Sequence, residues 1–299
     1  MIGLIQNEII KIFSKVASYV YAVIIIILLM LGALLYNSLY SFLEIDANVG
    51  IEFSDGSEEI RNVQGDNFTE KSDGPTGWGY MDTMAINFLS FITLFSVVIG
   101  SQSISSEFGD GTIKQLLIRP HRRWKILLSK YLTVNIYSII LIIVWFIASF
   151  LIGLIAFGVA GFHEETTISI GGLLSGDYVT TTHGEKFFKT LLFFLPGLIM
   201  VNTISFMLST LFKNQALAVA VGIFVLFINS VLFDLYPLLM SRFEWFKFLP
   251  FPHLDMTVYT FTNTYNDISF TFSITTFLVY YIIFIVITFY YFQKRDITF

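Results

Sequence analysis

"LLSKYLTVNIYSIILIIVWFIASFLIGLIAF", Leu127 to Phe157, is the stretch that decides the fold. Beyond Lys130 it holds no Asp, Glu, Lys, Arg or His. A water-soluble core cannot absorb so long an apolar run, whereas crossing the hydrocarbon layer takes about 20 apolar residues at about 1.5 Å rise each. Five more runs share its character: Tyr19–Leu39, Met84–Ile104, Phe188–Phe212, Ala216–Phe233 and Ile274–Phe292. The chain is 55% hydrophobic and 13% charged, about half the charged fraction usual in a soluble domain. These runs predict an all-α polytopic membrane protein with six spans. A transmembrane barrel would need short alternating segments, and none occur.

Residues 1–299 read as a single transmembrane domain, with no room for a separate catalytic domain of ordinary size. The first run is too long for a signal-peptide core, its flank carries Glu8 beside Lys11 and Lys15, and no small-residue cleavage site follows. Cysteine is absent, which excludes disulfides, thiolate metal sites and cysteine nucleophiles.

Charge sorts by loop. Segments 1–18, 105–130, 212–215 and 293–299 hold most of the 17 Lys and Arg, while the alternate segments hold most of the 22 acids. Loops rich in Lys and Arg stay in the cytoplasm, so both termini and loop 105–125 are expected inside. Residues 40–83, 161–187 and 234–273 are then extracellular. The first of these contains two partly alternating runs around Asp55-Gly56, a candidate hairpin. The second is Gly- and Thr-rich with little pattern. The third, aromatic but broken by Pro237, Pro250 and Pro252, suggests short helices that are either re-entrant or interfacial. At the N-terminus, Ile2, Ile5, Ile9, Ile12, Phe13 and Val16 recur at helical spacing. They predict an amphipathic helix within residues 1–17, lying in the inner interface.

The middles of the six runs lack ionisable acids and bases, which argues against proton or ion coupling inside the bilayer. Asn87, Asn202 and Asn229 are amides within these runs; helix-to-helix hydrogen bonds are the plain reading, lining a pathway the sharper one. Pro196-Gly197 should kink or loosen the fourth span. No phosphate loop, zinc-protease motif or nucleophile elbow is present, and the four His lack metal-ligand spacing. Three of them, His163, His183 and His253, are expected on the outer surface. The chain reads as neither an enzyme nor a metal protein, and as having no energy source of its own.

Loop 105–125, "SSEFGDGTIKQLLIRPHRRWK", concentrates positive charge. Gly111 allows a turn and Thr112 suits an N-cap; a short helix to Ile118 then ends before Pro120. Ile113, Leu116 and Leu117 share its apolar face. Trp124 is expected at interface depth, and Lys130 is expected to snorkel to water. The helix suits docking on a partner protein, and the basic tail suits anionic headgroups equally.

This loop resembles the one linking the second and third spans in permeases of bacterial type-2 ATP-binding-cassette (ABC) exporters. The matching positions are Glu107, Gly111, Thr112, Leu116, Leu117, Arg119, Pro120, Arg123, Ile126 and Lys130. "FLPFPHLD", Phe248 to Asp255, is similar to a stretch preceding their last span. The resemblance implies a permease subunit in the bacterial plasma membrane. The helix at Thr112–Ile118 would couple to a separate ABC ATPase subunit that binds ATP and Mg. Ile113, Leu116 and Leu117 would supply contact area. Glu107 and the basic residues Arg119, Arg122 and Arg123 would pair with the ATPase or brace the N-terminal helix. The permease would work with a second copy or a sister permease, and no cofactor or nucleic acid is implied. An uncharged lining suits an amphipathic or hydrophobic cargo such as an antimicrobial peptide, drug or lipid. The competing readings are an ion-coupled secondary transporter and a non-transporting immunity or sensor protein.

Overall fold

The structure, a computed structural model, describes residues 1–48, 74–112, 122–170, 177–233, 235–265 and 268–294. Among these, six helices are long and apolar enough to cross a membrane. They are α2 (Val16–Asn48), α4 (Leu89–Gly109), α5 (Arg123–Phe157), α6 (His183–Leu211), α7 (Gln215–Phe233) and α9 (Phe270–Lys294). A 3-10 turn, Ala85–Phe88, leads into α4. The six predicted runs match them with shifts at the ends, where polar residues continue a helix. Thr182, for example, caps α6 by accepting from the Glu185 N–H, so that helix starts before its apolar run.

The amphipathic N-terminal helix is present as α1 (Ile2–Phe13). Its Leu4, Ile5, Ile9, Ile12 and Phe13 are half-buried, and it packs on α5 and the start of α2. Phe13 meets Tyr137 of α5 edge-on, with ring centroids 5.9 Å apart. α4 packs against both α6 and α7, while α9 lies on α6 and α2 on α5. At the opposite end from α1, Trp145 of α5 stacks on Phe187 of α6 at 5.6 Å and donates to the Ala85 carbonyl. The outward faces of α2, α7 and α9 expose Leu34, Phe224 and Ile282 among other large apolar side chains, as a surface solvated by hydrocarbon does.

Two elements depart from the sequence expectation. Residues 77–83, read as part of an outer segment, form a short helix α3 (Gly77–Thr83) sunk into the bundle. Tyr80 is fully buried and donates to the Leu29 carbonyl at 2.7 Å. The helix is too short to register as a span, and its Asp82 is neutralised by tertiary partners. Residues 161–187, which showed little pattern, contain an antiparallel hairpin of β1 (Glu165–Ile170) and β2 (Asp177–Thr182), with Glu165 opposite Thr182. Its strands are Thr-rich on both faces, so no hydrophobic alternation marks them. A two-residue ladder, β3 (Thr264–Tyr265) with β4 (Ile268–Ser269), precedes α9.

The Pro-broken stretch after α7 is α8 (Tyr236–Arg242) followed by three 3-10 turns. Leu238, Phe243, Trp245 and Phe248 are exposed there. The hairpin expected around Asp55-Gly56 lies outside the described residues.

Candidate functional site

α4 ends at the foot of the 105–125 loop. Gly111 stands at φ +68°, the left-handed conformation that closes a helix and that glycine adopts without strain. Its N–H donates to the Phe108 carbonyl. The turn expected at Gly111 is therefore the C-terminal cap of α4. Gly111, Thr112 and Arg122 are exposed. Ile113, Leu116, Leu117, Arg119 and Pro120, with the helix expected over Thr112–Ile118, lie outside the described residues. α5 resumes at Arg123, whose guanidinium donates to the Gln293 carbonyl near the end of α9.

Between the two feet of the loop sits an ion cluster. Glu107 Oε1 accepts from Lys130 Nζ at 2.6 Å and from Lys11 Nζ at 2.5 Å. Lys130 also reaches Glu8 Oε2 at 2.8 Å. Glu107 and Lys130 are each only 2% exposed. The snorkelling expected of Lys130 does not occur, because two carboxylates meet its ammonium inside the bundle. Of the two roles expected for Glu107, the geometry contains the brace to the N-terminal helix. Burying opposite charges is costly unless both are paired and hydrogen-bonded, and breaking such a pair is costlier still. Glu107 Oε2 has no partner among the described residues. Burial, and then the neighbouring Lys11, depress the Lys15 pKa from its ordinary value. A cavity of about 30 Å³ lies among Glu8, Lys11, Lys15, Ser106 and Lys130, room for about one water. Mechanically, the cluster ties α1, α4 and α5 together at one point.

Asn87, Asn202 and Asn229 part company. Asn202 is fully buried and donates to Asn135 Oδ1 at 3.2 Å and Ser138 Oγ at 2.9 Å, a helix-to-helix bond between α6 and α5. Asn87 and Asn229 line a cleft of about 700 Å³ between α4, α6 and α7. Asn229 Oδ1 accepts from the Tyr236 hydroxyl at 2.7 Å.

Two of the four histidines are not surface groups. His253 is buried, with Nε2–H donating to the Lys247 carbonyl at 2.8 Å and Nδ1 accepting from Ser273 at 2.7 Å. His183 Nδ1 lies 3.0 Å from Asp82 Oδ2, which also accepts from Lys186 at 2.8 Å. Asp82 is itself buried. Of these partners, Glu8 was legible from its place on an amphipathic helix with Lys11. Asp82 carried no local signal, since Lys186 lies 104 positions away.

Six long apolar helices with lipid-suited outward faces define a multi-pass membrane protein. The chain belongs to the DUF2705 family, described as a protein of unknown function, whose model matches residues 67–298. It is similar to the "Uncharacterized protein YhcI" of Bacillus subtilis (strain 168), at 32% identity with 99% of each chain covered. It is also similar to the "Uncharacterized membrane protein YdbK" of the same strain. That match is 32% identical over 73% of this chain and 82% of the relative.

Proposed function

We propose that the protein is the membrane-spanning permease subunit of an ATP-driven exporter of the type-2 ABC class, coupled to a separate ATPase. The observation that carries this reading is the Glu107 carboxylate. It stands at the foot of the basic loop, buried, and bonded at once to the N-terminal helix and to the next span. A load applied to the loop would reach α1, α4 and α5 together, which suits a lever driven from outside the membrane. The Lys and Arg bias supports a cytoplasmic location for both termini and for the loop, with α1 in the inner interface. The helix expected over Thr112–Ile118 would then seat on the ATPase through Ile113, Leu116 and Leu117. ATP and Mg would be bound by that partner, and this chain would perform no catalysis of its own. The pathway would form between two six-span halves, this chain and a second copy or sister permease. The exposed aromatic segment after α7 would anchor in the outer interface.

The test is co-purification. Tagged wild-type protein should carry an ABC ATPase through purification, and Leu116→Asp or Leu117→Asp should lose it while still inserting in the membrane. Retention of the ATPase by both variants would end the coupling assignment.

A further inference from the structure

The cleft between α4, α6 and α7 has a composition that selects its occupant. Phe91, Leu94, Phe194 and Phe227 give it apolar walls. Along the 3-10 turn and the start of α4, Asn87, Ser90 and Thr93 follow one another at three-residue spacing, the first two exposed and Thr93 half-buried. Each has already spent a donor on a backbone carbonyl three or four residues before it: Asn87 Nδ2 on Thr83, Ser90 Oγ on Asn87, and Thr93 Oγ1 on Ser90. What this row turns to the cleft is mainly acceptor oxygen.

At one end of the cleft stands Asp255. Its Oδ1 accepts both the Thr257 N–H and the Thr257 hydroxyl, and no basic side chain pairs with it among the described residues. The basic residues at the start of α6 are engaged elsewhere: Lys186 with Asp82, Lys189 with Glu185 and over the Phe261 ring. A carboxylate and a row of acceptors beside apolar walls is matched by a positive centre carried on an apolar body. An anion would meet the uncompensated Asp255 charge, and a neutral hydrocarbon would leave the acceptors unmatched.

We propose that this cleft binds a lipophilic cation, admitted sideways between α4 and α7, where Phe227 is 66% exposed. Binding needs only this chain and lipid; that the bound molecule is cargo rests on the exporter reading.

The experiment uses the full-length chain, without ATPase, in nanodiscs of phosphatidylcholine. The probe is radiolabelled tetraphenylphosphonium; radiolabelled tetraphenylborate, its anionic counterpart in shape, is measured in a parallel sample. Saturable binding of the phosphonium above empty nanodiscs is expected, and none of the borate. D255N should weaken it about tenfold or more. Asparagine keeps the oxygen that Thr257 bonds, so this variant removes the charge and leaves the turn. S90F, on the exposed side of α4, should block the cleft and abolish binding while leaving the fold, as a thermal melt would confirm. Absence of saturable phosphonium binding, equal saturable binding of the borate, or unchanged affinity in either variant overturns the proposal. None of those results touches the ATPase co-purification, so the two readings fail separately.

Discussion

Glu107 shares one carboxylate oxygen between two ammonium groups, and the burial of each group sets what it is worth. Lys130 is 2% exposed and Lys11 46% exposed. Removing the Glu107 charge with Glu107→Gln strands a buried lysine against Glu8 alone, a loss of about 3–5 kcal/mol for a broken buried pair. Lys11→Gln deletes a half-exposed partner and should cost about 1 kcal/mol or less, since water screens such pairs. Thermal unfolding in detergent would separate the two. Equal losses would mean that the cluster is not the clamp its geometry describes. Glu107 and Lys130 were both legible from the loop as candidate residues, but not their pairing. The bond spans 23 positions, and the second acid on Lys130 is 122 positions away. Nothing local in the sequence brings such groups together, so the lysine read as a snorkelling one.

The segment before α9 docks on α6 through a missing side chain. A Cβ on Gly197 would collide with the Leu254 carbonyl oxygen, so this position admits the incoming backbone only as glycine. Gly197→Val should therefore destabilise the protein by about 1–3 kcal/mol through overpacking; a melting temperature equal to wild type would refute the close approach. Pro196 beside it removes one helix hydrogen bond, and with Gly197 seated against Leu254 the pair serves packing in this structure. His253 fastens the same segment to α9 through Ser273. Burial lowers its pKa below the ordinary histidine value near 6.5, against the opposing effect of the Lys247 carbonyl. Above that value both folded and unfolded chains hold it neutral and it adds no pH dependence. As pH falls through about 6.5 the unfolded chain takes up a proton first, so stability is lost. The melting temperature should drop between about pH 7.5 and 5.5 more steeply in wild type than in His253→Gln. Identical slopes would remove His253 from the account. The elements that the sequence hid, α3 and the β1–β2 hairpin, share one cause. Each is short: α3 is placed by tertiary partners, Tyr80 by Leu29 and Asp82 by Lys186 and His183, while β1 and β2 are held by the ladder they make with each other.

For the molecule as a whole, the spans were legible because hydrocarbon imposes a length and a composition that no other environment requires. Leu127–Phe157 and its five companions meet it without help from contacts, and only their ends shift. The sites were less legible, because they form where distant segments converge: α1 on the start of α5, and the 248–257 segment on α6 and α7. The proposed mechanism joins these scales. An ATPase would press on the loop between α4 and α5, the Glu107 cluster would carry the motion into α1 and both spans, and the cleft lined by Asn87 and Asn229 would change its opening.

That chain of events begins at one contact. A photo-crosslinking residue placed at Leu117, in cells expressing the protein with its native neighbours, reads it directly. An adduct with a cytoplasmic ABC ATPase is expected, with a yield that changes on ATP binding. A residue at that position that forms no ATPase adduct, or that reacts with an impermeant reagent added outside intact cells, would contradict it.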